Sequence, residues 1–319
     1  MTDIHAQIRE QFGSATDIAI ISHVRPDGDA IGSVLGLGTA LMDAGKNVQF
    51  VLADGAGATY RFLKHYGKIK KKLTSPVDVA VVVDCSDLER IGNVLNGSIP
   101  QINIDHHKTN LNFAKINLVE YSASTTQILA TYLERWDLEM TKNVAEALLT
   151  GLLTDTIGFR TSNVTADTMR AAADLMGHGV DMPEIYRRVL VDRTFAGVAL
   201  WGRAIPRMTK DGDILYTKLT AEDRKKVSYP GKDDAELITL LSSIREANVT
   251  ILFIEQDPDN VKVSWRAKPG YDVSDVAISF GGGGHAPAAG ATIEGTLNSV
   301  VDRVLETTKN IVNFKKNSK

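Results

Sequence analysis

Residues 77–84 read Val-Asp-Val-Ala-Val-Val-Val-Asp. Such a run is too short for a helix, rich in β-branched side chains and closed by an acid. It reads as a strand buried on both faces of a parallel sheet. Working outward, Asp17–Ser22 (DIAIIS), Lys46–Leu52 and Ile102–Asp105 (INID) have the same character. Between the first two, Ile31–Ala44 reads as a helix carrying Gly32, Gly36 and Gly38, and Gly45 ends it. Ile4, Ile8 and Phe12 recur at four-residue spacing and predict a helix over residues 1–13. Strands and helices that alternate in this way build right-handed β-α-β units around a parallel sheet.

The remainder changes character twice. Helical spacing runs through Thr125–Trp136, Asn143–Leu153 and Ala166–Met176, and Met182–Trp201 reads as one or two more helices. Beyond Pro206, Ile214–Leu219, Val249–Gln256 and Val261–Ala267 read as strands, with a helix at Asp234–Glu246. A glycine run, Gly281–Gly284, and a helix at Asn298–Phe314 close the chain. The expectation is an α/β fold. Residues 1–188 would form an N-terminal parallel-sheet domain with helices on both faces, 189–205 a helical linker, and 206–319 a smaller C-terminal α/β domain.

Composition excludes several classes. At 319 residues, with 43% hydrophobic and 24% charged side chains, the chain is ordinary for a globular protein. Its single cysteine, Cys85, rules out an internal disulfide framework and sulfur-rich zinc sites. No apolar run reaches membrane-spanning length, and MTDIHAQIREQFG lacks the basic start and apolar core of a signal peptide. A cytoplasmic location without membrane contact is therefore expected. A net charge of −3 argues against a broadly basic nucleic-acid coat, although residues 261–319 hold 8 Lys/Arg against 5 Asp/Glu.

The chemistry gathers where the strands end. The first is followed by His23, Asp27 and Asp29, the Val77 strand by Asp84, and the next by Asp105, His106 and His107. In open parallel sheets ligands bind beyond the carboxyl ends of strands, so these groups converge on one crevice. Asp155, after the apolar stretch Ala145–Leu153, adds a fourth acid. So many carboxylates in one crevice need a cation to stay ionised. Carboxylate and imidazole donors without thiolate suit Mn²⁺, Mg²⁺, Co²⁺ or Zn²⁺, and the histidines favour Mn²⁺ over Mg²⁺. A carboxylate shared by two ions is the pattern of two-metal phosphoryl hydrolysis, in which the ions generate a hydroxide and clamp the phosphate. Adjacent histidines diverge, so one of His106 and His107 would ligate and the other face substrate. A single acid after a strand is more often a helix cap, and His5, His65 and His178 keep that ordinary structural reading. In GGGGHAPAAG (281–290), Gly282, Gly283 and Gly284 let backbone N–H groups approach a phosphate, with His285 and Arg266 adding charge.

The stretch His23-Val-Arg-Pro-Asp27-Gly-Asp29-Ala-Ile-Gly32-Ser33, with Asp84, Asp105-His106-His107 and Thr154-Asp155-Thr156, resembles the successive motifs of the DHH phosphoesterase superfamily. Phe280–Gly290 resembles the signature of the DHHA1 domain. The order and the compact length are similar to the bacterial nanoRNase/pAp phosphatase group. The resemblance implies two Mn²⁺ ions, with Mg²⁺ or Co²⁺ as substitutes. His23, Asp27 and Asp84 would hold one ion. Asp29, Asp84, His106 and Asp155 would hold the other, with Asp84 bridging. Asp105 would orient a neighbouring histidine, and His107 would contact the scissile phosphate. Arg266 and His285, with the glycine backbone, would grip a terminal phosphate, and Arg160 is a further candidate for substrate. Ile157 departs from the glycine found in relatives, with Gly158 one residue later.

The expected activity is hydrolysis of short oligoribonucleotides to mononucleotides, and of pAp to AMP, by two-metal hydroxide attack. The alternative is a phosphodiesterase for cyclic di-AMP or linear pApA. Pyrophosphatase relatives carry a different C-terminal domain, and long-strand exonucleases are larger. A non-catalytic nucleotide-binding module would have lost a ligand, and none is missing. The expected partners are short RNA, dinucleotides and pAp, and oligomeric state stays open, a homodimer included.

Overall fold

The computed structural model describes residues 3–317, and the chain divides into two compact units after Asp192. In the first unit α1 (Ile4–Ser14) precedes β1 (Asp17–Ile21), α2 (Gly28–Asp43), β2 (Asn47–Val51), β3 (Val79–Val83), β4 (Ile102–Asp105) and β5 (Ile116–Val119). Four helices follow: α3 (Thr125–Tyr132), α4 (Lys142–Asp155), α5 (Ala166–Gly177) and α6 (Met182–Tyr186). The five strands form one all-parallel sheet in the order β2-β1-β3-β4-β5. Chain direction across the sheet reverses between β1 and β3, which makes a crevice beyond their carboxyl ends.

The apolar runs split by the pleat. Ile18, Ile20, Val79, Val81, Val83, Ile102 and Ile104 pack into the main core with α2 and α4, while Ala19, Ile21, Ala80 and Val82 meet Ile91, Val94 and Leu95 on the other face. Those last three come from two short 3₁₀ helices, Leu88–Ile91 and Asn93–Leu95. α2 is buried almost throughout and lies against α4. A Cβ at Gly32 would stand 2.6 Å from the Ala147 carbonyl oxygen, so glycine there sets how closely the two helices approach.

The second unit runs α7 (Phe195–Ala204), β6 (Thr209–Asp211), β7 (Ile214–Leu219), α8 (Ala221–Lys226), α9 (Leu237–Ser242), β8 (Val249–Asp257), β9 (Asn260–Ala267), α10 (Ser274–Ser279), β10 (Gly283–His285), β11 (Ala288–Glu294) and α11 (Leu297–Asn317). Its sheet has the order β10-β11-β9-β8-β7-β6, antiparallel except for the parallel β7–β8 pair. Ile251, Phe253, Val263 and Trp265 face a core shared with Val300 and Val304 of α11. Leu215, Leu252 and Ile254 face another with Leu200 and Leu237.

Several elements differ from their expected extent. β5, not foreseen in the sequence, is a four-residue edge strand of which only Leu118 is buried. The helix expected over Asp234–Glu246 is confined to Leu237–Ser242, because Ala235 (φ 49°) and Glu236 (φ 64°) adopt left-handed backbone. The helical stretch from Met182 splits into α6, a π-helical turn at Arg187–Val191, and α7. The end of the glycine run forms β10 and not a free loop. A Cβ at Gly282 would stand 2.2 Å from Gly290 O and one at Gly284 2.4 Å from Ala288 O, so the hairpin itself excludes side chains there.

Candidate metal centre

Five chain segments bring side chains to the carboxyl edge of the first sheet. Asp27 caps α2, its Oδ1 accepting from the N–H groups of Asp29 and Ala30, both at 3.1 Å, which leaves Oδ2 to face His23. Asp29, buried in the first turn of α2, is fixed by the start of α3. The Thr125 N–H donates to Oδ2 at 2.7 Å, and the Thr126 N–H and hydroxyl donate to Oδ1 at 3.0 and 2.6 Å. Asp84 leaves β3 with φ 52°, a left-handed turn costing about 1–2 kcal/mol for a non-glycine residue, and its Oδ1 accepts from the Thr125 hydroxyl at 3.1 Å. Asp105, His106 and His107 follow β4, and Asp155 is the last residue of α4.

The donor atoms converge. His23 Nε2 lies 3.6 Å from Asp84 Oδ2 and 3.9 Å from Asp27 Oδ2. His106 Nε2 lies 3.6 Å from Asp84 Oδ1, 3.6 Å from Asp155 Oδ2 and 4.0 Å from Asp29 Oδ2. Asp84 thus turns one oxygen toward each imidazole. The ring orientations are set from behind, because the Val24 carbonyl accepts from His23 Nδ1 at 2.9 Å and the Ser122 carbonyl from His106 Nδ1 at 3.2 Å. Both Nε2 atoms therefore point inward as acceptors. His107 differs: its Nδ1 donates to Asp105 Oδ1 at 2.7 Å, and Nδ1 stands 3.8 Å from Asp84 Oδ1. Groups with donor atoms within 4.8 Å of one another are His23–Asp27–Asp84, Asp29–His106–Asp155 and Asp84–His106–His107.

Electrostatics explains what such a cluster requires. Burial raises the Asp29 carboxyl well above its ordinary value, and the charges of Asp84 and Asp155 push it further. Asp155 is pushed up to about 6, by burial first and then by Asp84 and Asp27 against the pull of His106. Burial acts the same way on Asp84, but His23, His106 and His107 outweigh it and hold that carboxyl below its usual value. His107 is raised chiefly by Asp105. His23 is raised too, its burial overcome by Asp84. Carboxylates that resist ionisation together, interleaved with inward-facing imidazole acceptors and no thiolate, fit hard or borderline divalent cations.

The second unit collects its own set. Ala288 pairs with Arg266 on one side and with His285 on the other. Directly opposed residues share a face of the sheet, so only a methyl group separates Arg266 from His285. The Arg266 guanidinium is half-buried, donating Nη1–H to the Trp265 carbonyl at 2.9 Å, whereas His285 is exposed. Gly283 is open, with nothing within 4 Å of a Cβ there. Arg160 stands exposed in the turn after Asp155.

Sequence reasoning missed Thr125 and Thr126, which hold Asp29, and Asn110. The Asn110 amide donates to Asp105 Oδ2 at 2.6 Å and lies 2.8 Å from Asn103 Oδ1, so both oxygens of the buried Asp105 are engaged. The spacing Asp105-His-His-Lys-Thr-Asn110 and the Ser124-Thr-Thr helix start were the available signals.

Residues 17–152 match the DHH family, N-terminal domain, and residues 212–313 match the DHHA1 domain. The chain is 36% identical over 299 residues to the bifunctional oligoribonuclease and PAP phosphatase NrnA of Thermus thermophilus, across 91% of this chain and 88% of that one. It is 22% identical over 336 residues to the cyclic-di-AMP phosphodiesterase GdpP of Bacillus subtilis, covering 93% of this chain and 48% of that one. Among solved structures, an exopolyphosphatase-related protein from Bacteroides fragilis superposes with a TM-score of 0.90 at 26% identity, over 98% of this chain and 97% of that one.

Proposed function

The chain belongs to the DHH family as one of its phosphoesterases, and from that premise we propose that it is a manganese-dependent hydrolase of short oligoribonucleotides and of pAp. The observation that carries this reading is Asp84, whose two oxygens each face a separate set of imidazole and carboxylate donors. His23, Asp27 and Asp84 would hold one ion, and Asp29, Asp84, His106 and Asp155 the other. When bound, such ions supply Lewis acidity at the phosphate and lower the pKa of water enough to give a nucleophile at neutral pH.

The chain's own residues do the rest. Asp105, held by Asn110, engages His107 through Nδ1, so the ring's Nε2 would donate the hydrogen bond to a non-bridging phosphate oxygen. The Asp105 carboxylate raises the His107 pKa, which favours the doubly protonated ring. Arg266 and His285, on one face of the second sheet, would bind a terminal phosphate. Arg160, exposed in the turn after Asp155, would be a further phosphate contact.

The test is Mn²⁺-dependent turnover measured in parallel on a 5′-phosphorylated diribonucleotide, pAp, cyclic di-AMP and pyrophosphate. Release of mononucleotides from the first with cleavage of pAp supports the proposal. Preference for cyclic di-AMP moves the protein to the activity that the name of the GdpP relative describes. Preference for pyrophosphate overturns both.

A further inference from the structure

Beside the metal centre stands a pair of side chains that its chemistry does not use. Lys108 follows His107 directly, and Tyr121 precedes Ser122, whose carbonyl holds His106. Consecutive Cα atoms are about 3.8 Å apart, so each residue adjoins, in the chain, a residue that builds or braces the centre, at neighbouring strand ends. The Lys108 ammonium sits 4.2 Å from the centroid of the Tyr121 ring. Tyr121, on the β5–α3 connection, is nevertheless 65% exposed, as is Leu111 on the β4–β5 connection that carries Lys108. Among the described residues the Tyr121 hydroxyl has no hydrogen-bond partner and Lys108 no carboxylate partner.

Folding does not account for this arrangement. A tyrosine that buries little and bonds to nothing adds little stability, and an exposed cation–π pair contributes about 0.5–1 kcal/mol. Lys108 is held over a ring although the crevice beside it is lined with aspartates. A nucleotide, by contrast, presents a flat base and an anionic phosphate a short distance apart. Exposed aromatic rings paired with cations are how proteins hold unpaired nucleotides, the ring stacking a base and the cation meeting the backbone.

We propose that Tyr121 is a stacking face for a substrate nucleobase and that Lys108 binds the phosphate next to it. The inference rests on the proposed activity and deepens it, because it makes one base of a dinucleotide a recognition element. Every base has a π-face, so the contact is tolerant of base identity and intolerant of base removal.

The experiment compares KM for a diribonucleotide with KM for two counterparts, each lacking one of its bases, using the Mn²⁺-loaded protein. In the wild type, loss of the stacked base raises KM by about 5- to 160-fold, the range of single base–aromatic stacking. In Tyr121→Ala that ratio collapses toward one, and Tyr121→Phe restores it because the ring and not the hydroxyl does the binding. Lys108→Met raises KM for all three substrates by a similar factor. A purely structural role would instead lower kcat and metal content without changing the ratio. A ratio in Tyr121→Ala equal to that of the wild type overturns the stacking face and leaves the proposed activity standing. A wild-type protein that cleaves none of the three overturns both.

Discussion

At the scale of single residues, Asp84 and the residue after it have opposite fates. Replacement of Asp84 by Asn removes the charge that faces both His23 and His106. We expect Asp84→Asn to bind less than the full complement of Mn²⁺ by elemental analysis and to lose at least about 1000-fold in kcat. Full metal content with wild-type turnover would overturn the assignment. Cys85 is fully buried, and burial pushes its thiol up to about 11, only partly offset by its contact with the Asp87 carbonyl. At pH 8 its thiolate fraction is on the order of 0.001, so the native protein should leave a disulfide reagent unreacted over minutes and release one thiol in guanidinium. Rapid reaction of the native protein would show that the β3 exit opens in solution. The acids and imidazoles were legible because such side chains at the ends of apolar runs are rare without a purpose. Thr125, Thr126 and Asn110 were not, since hydroxyls and amides at helix starts and turns are ordinary caps until a buried carboxylate is seen against them.

At the scale of elements, the turn after α4 stores strain beside Asp155. Ile157 (φ 49°), Gly158 (φ 66°) and Phe159 (φ 66°) are successive left-handed residues, and Ile157 is half-exposed. A β-branched residue there costs about 1–2 kcal/mol, whereas glycine loses some of that gain to unfolded-chain entropy. Ile157→Gly should therefore stabilise the protein by roughly 0.5–1 kcal/mol, read as a higher urea midpoint at unchanged slope. A lower midpoint would mean that the isoleucine side chain contributes more than its backbone costs. Gly158 has no such freedom, because a Cβ there would stand 2.5 Å from Tyr186 Cε2. The elements read best from sequence were β1, β3, β4 and α5, whose apolar spacing is unambiguous. β5 and β10 were invisible because strand pairing, not local apolarity, makes them strands.

At the scale of the whole molecule, the clustered charges tie stability to pH. In the metal-free protein Asp155 holds its proton up to about pH 6, whereas in the unfolded chain it would lose it near pH 4. The native state binds more protons across that window, so stability falls as pH rises through it, by on the order of 3 kcal/mol. His23 and His107, also raised, extend the fall toward neutrality with the same sign. The paired Asp223, held low by Arg207 and Arg203 despite its burial, loses its contribution only in stronger acid. The metal-free protein should thus melt several degrees higher at pH 5.5 than at pH 7.5 by calorimetry, and saturating Mn²⁺ should erase or invert the difference. A metal-free protein that melts lower at pH 5.5 would contradict the charge cluster described above.

The centre has no local precursor in the chain, since its ligands run from His23 to Asp155 and meet only when β1, β3 and β4 lie side by side. At roughly 5–20 residues per second, on the order of ten seconds of synthesis separate the first of these residues from the last. During that interval the donors of the His23–Asp27–Asp84 group are made first and Asp155, needed by the other group, last. Assembly of both donor groups is thereby deferred to the completed sheet, and a ribosome-bound chain stopped before Asp155 lacks a donor of the Asp29–His106–Asp155 group.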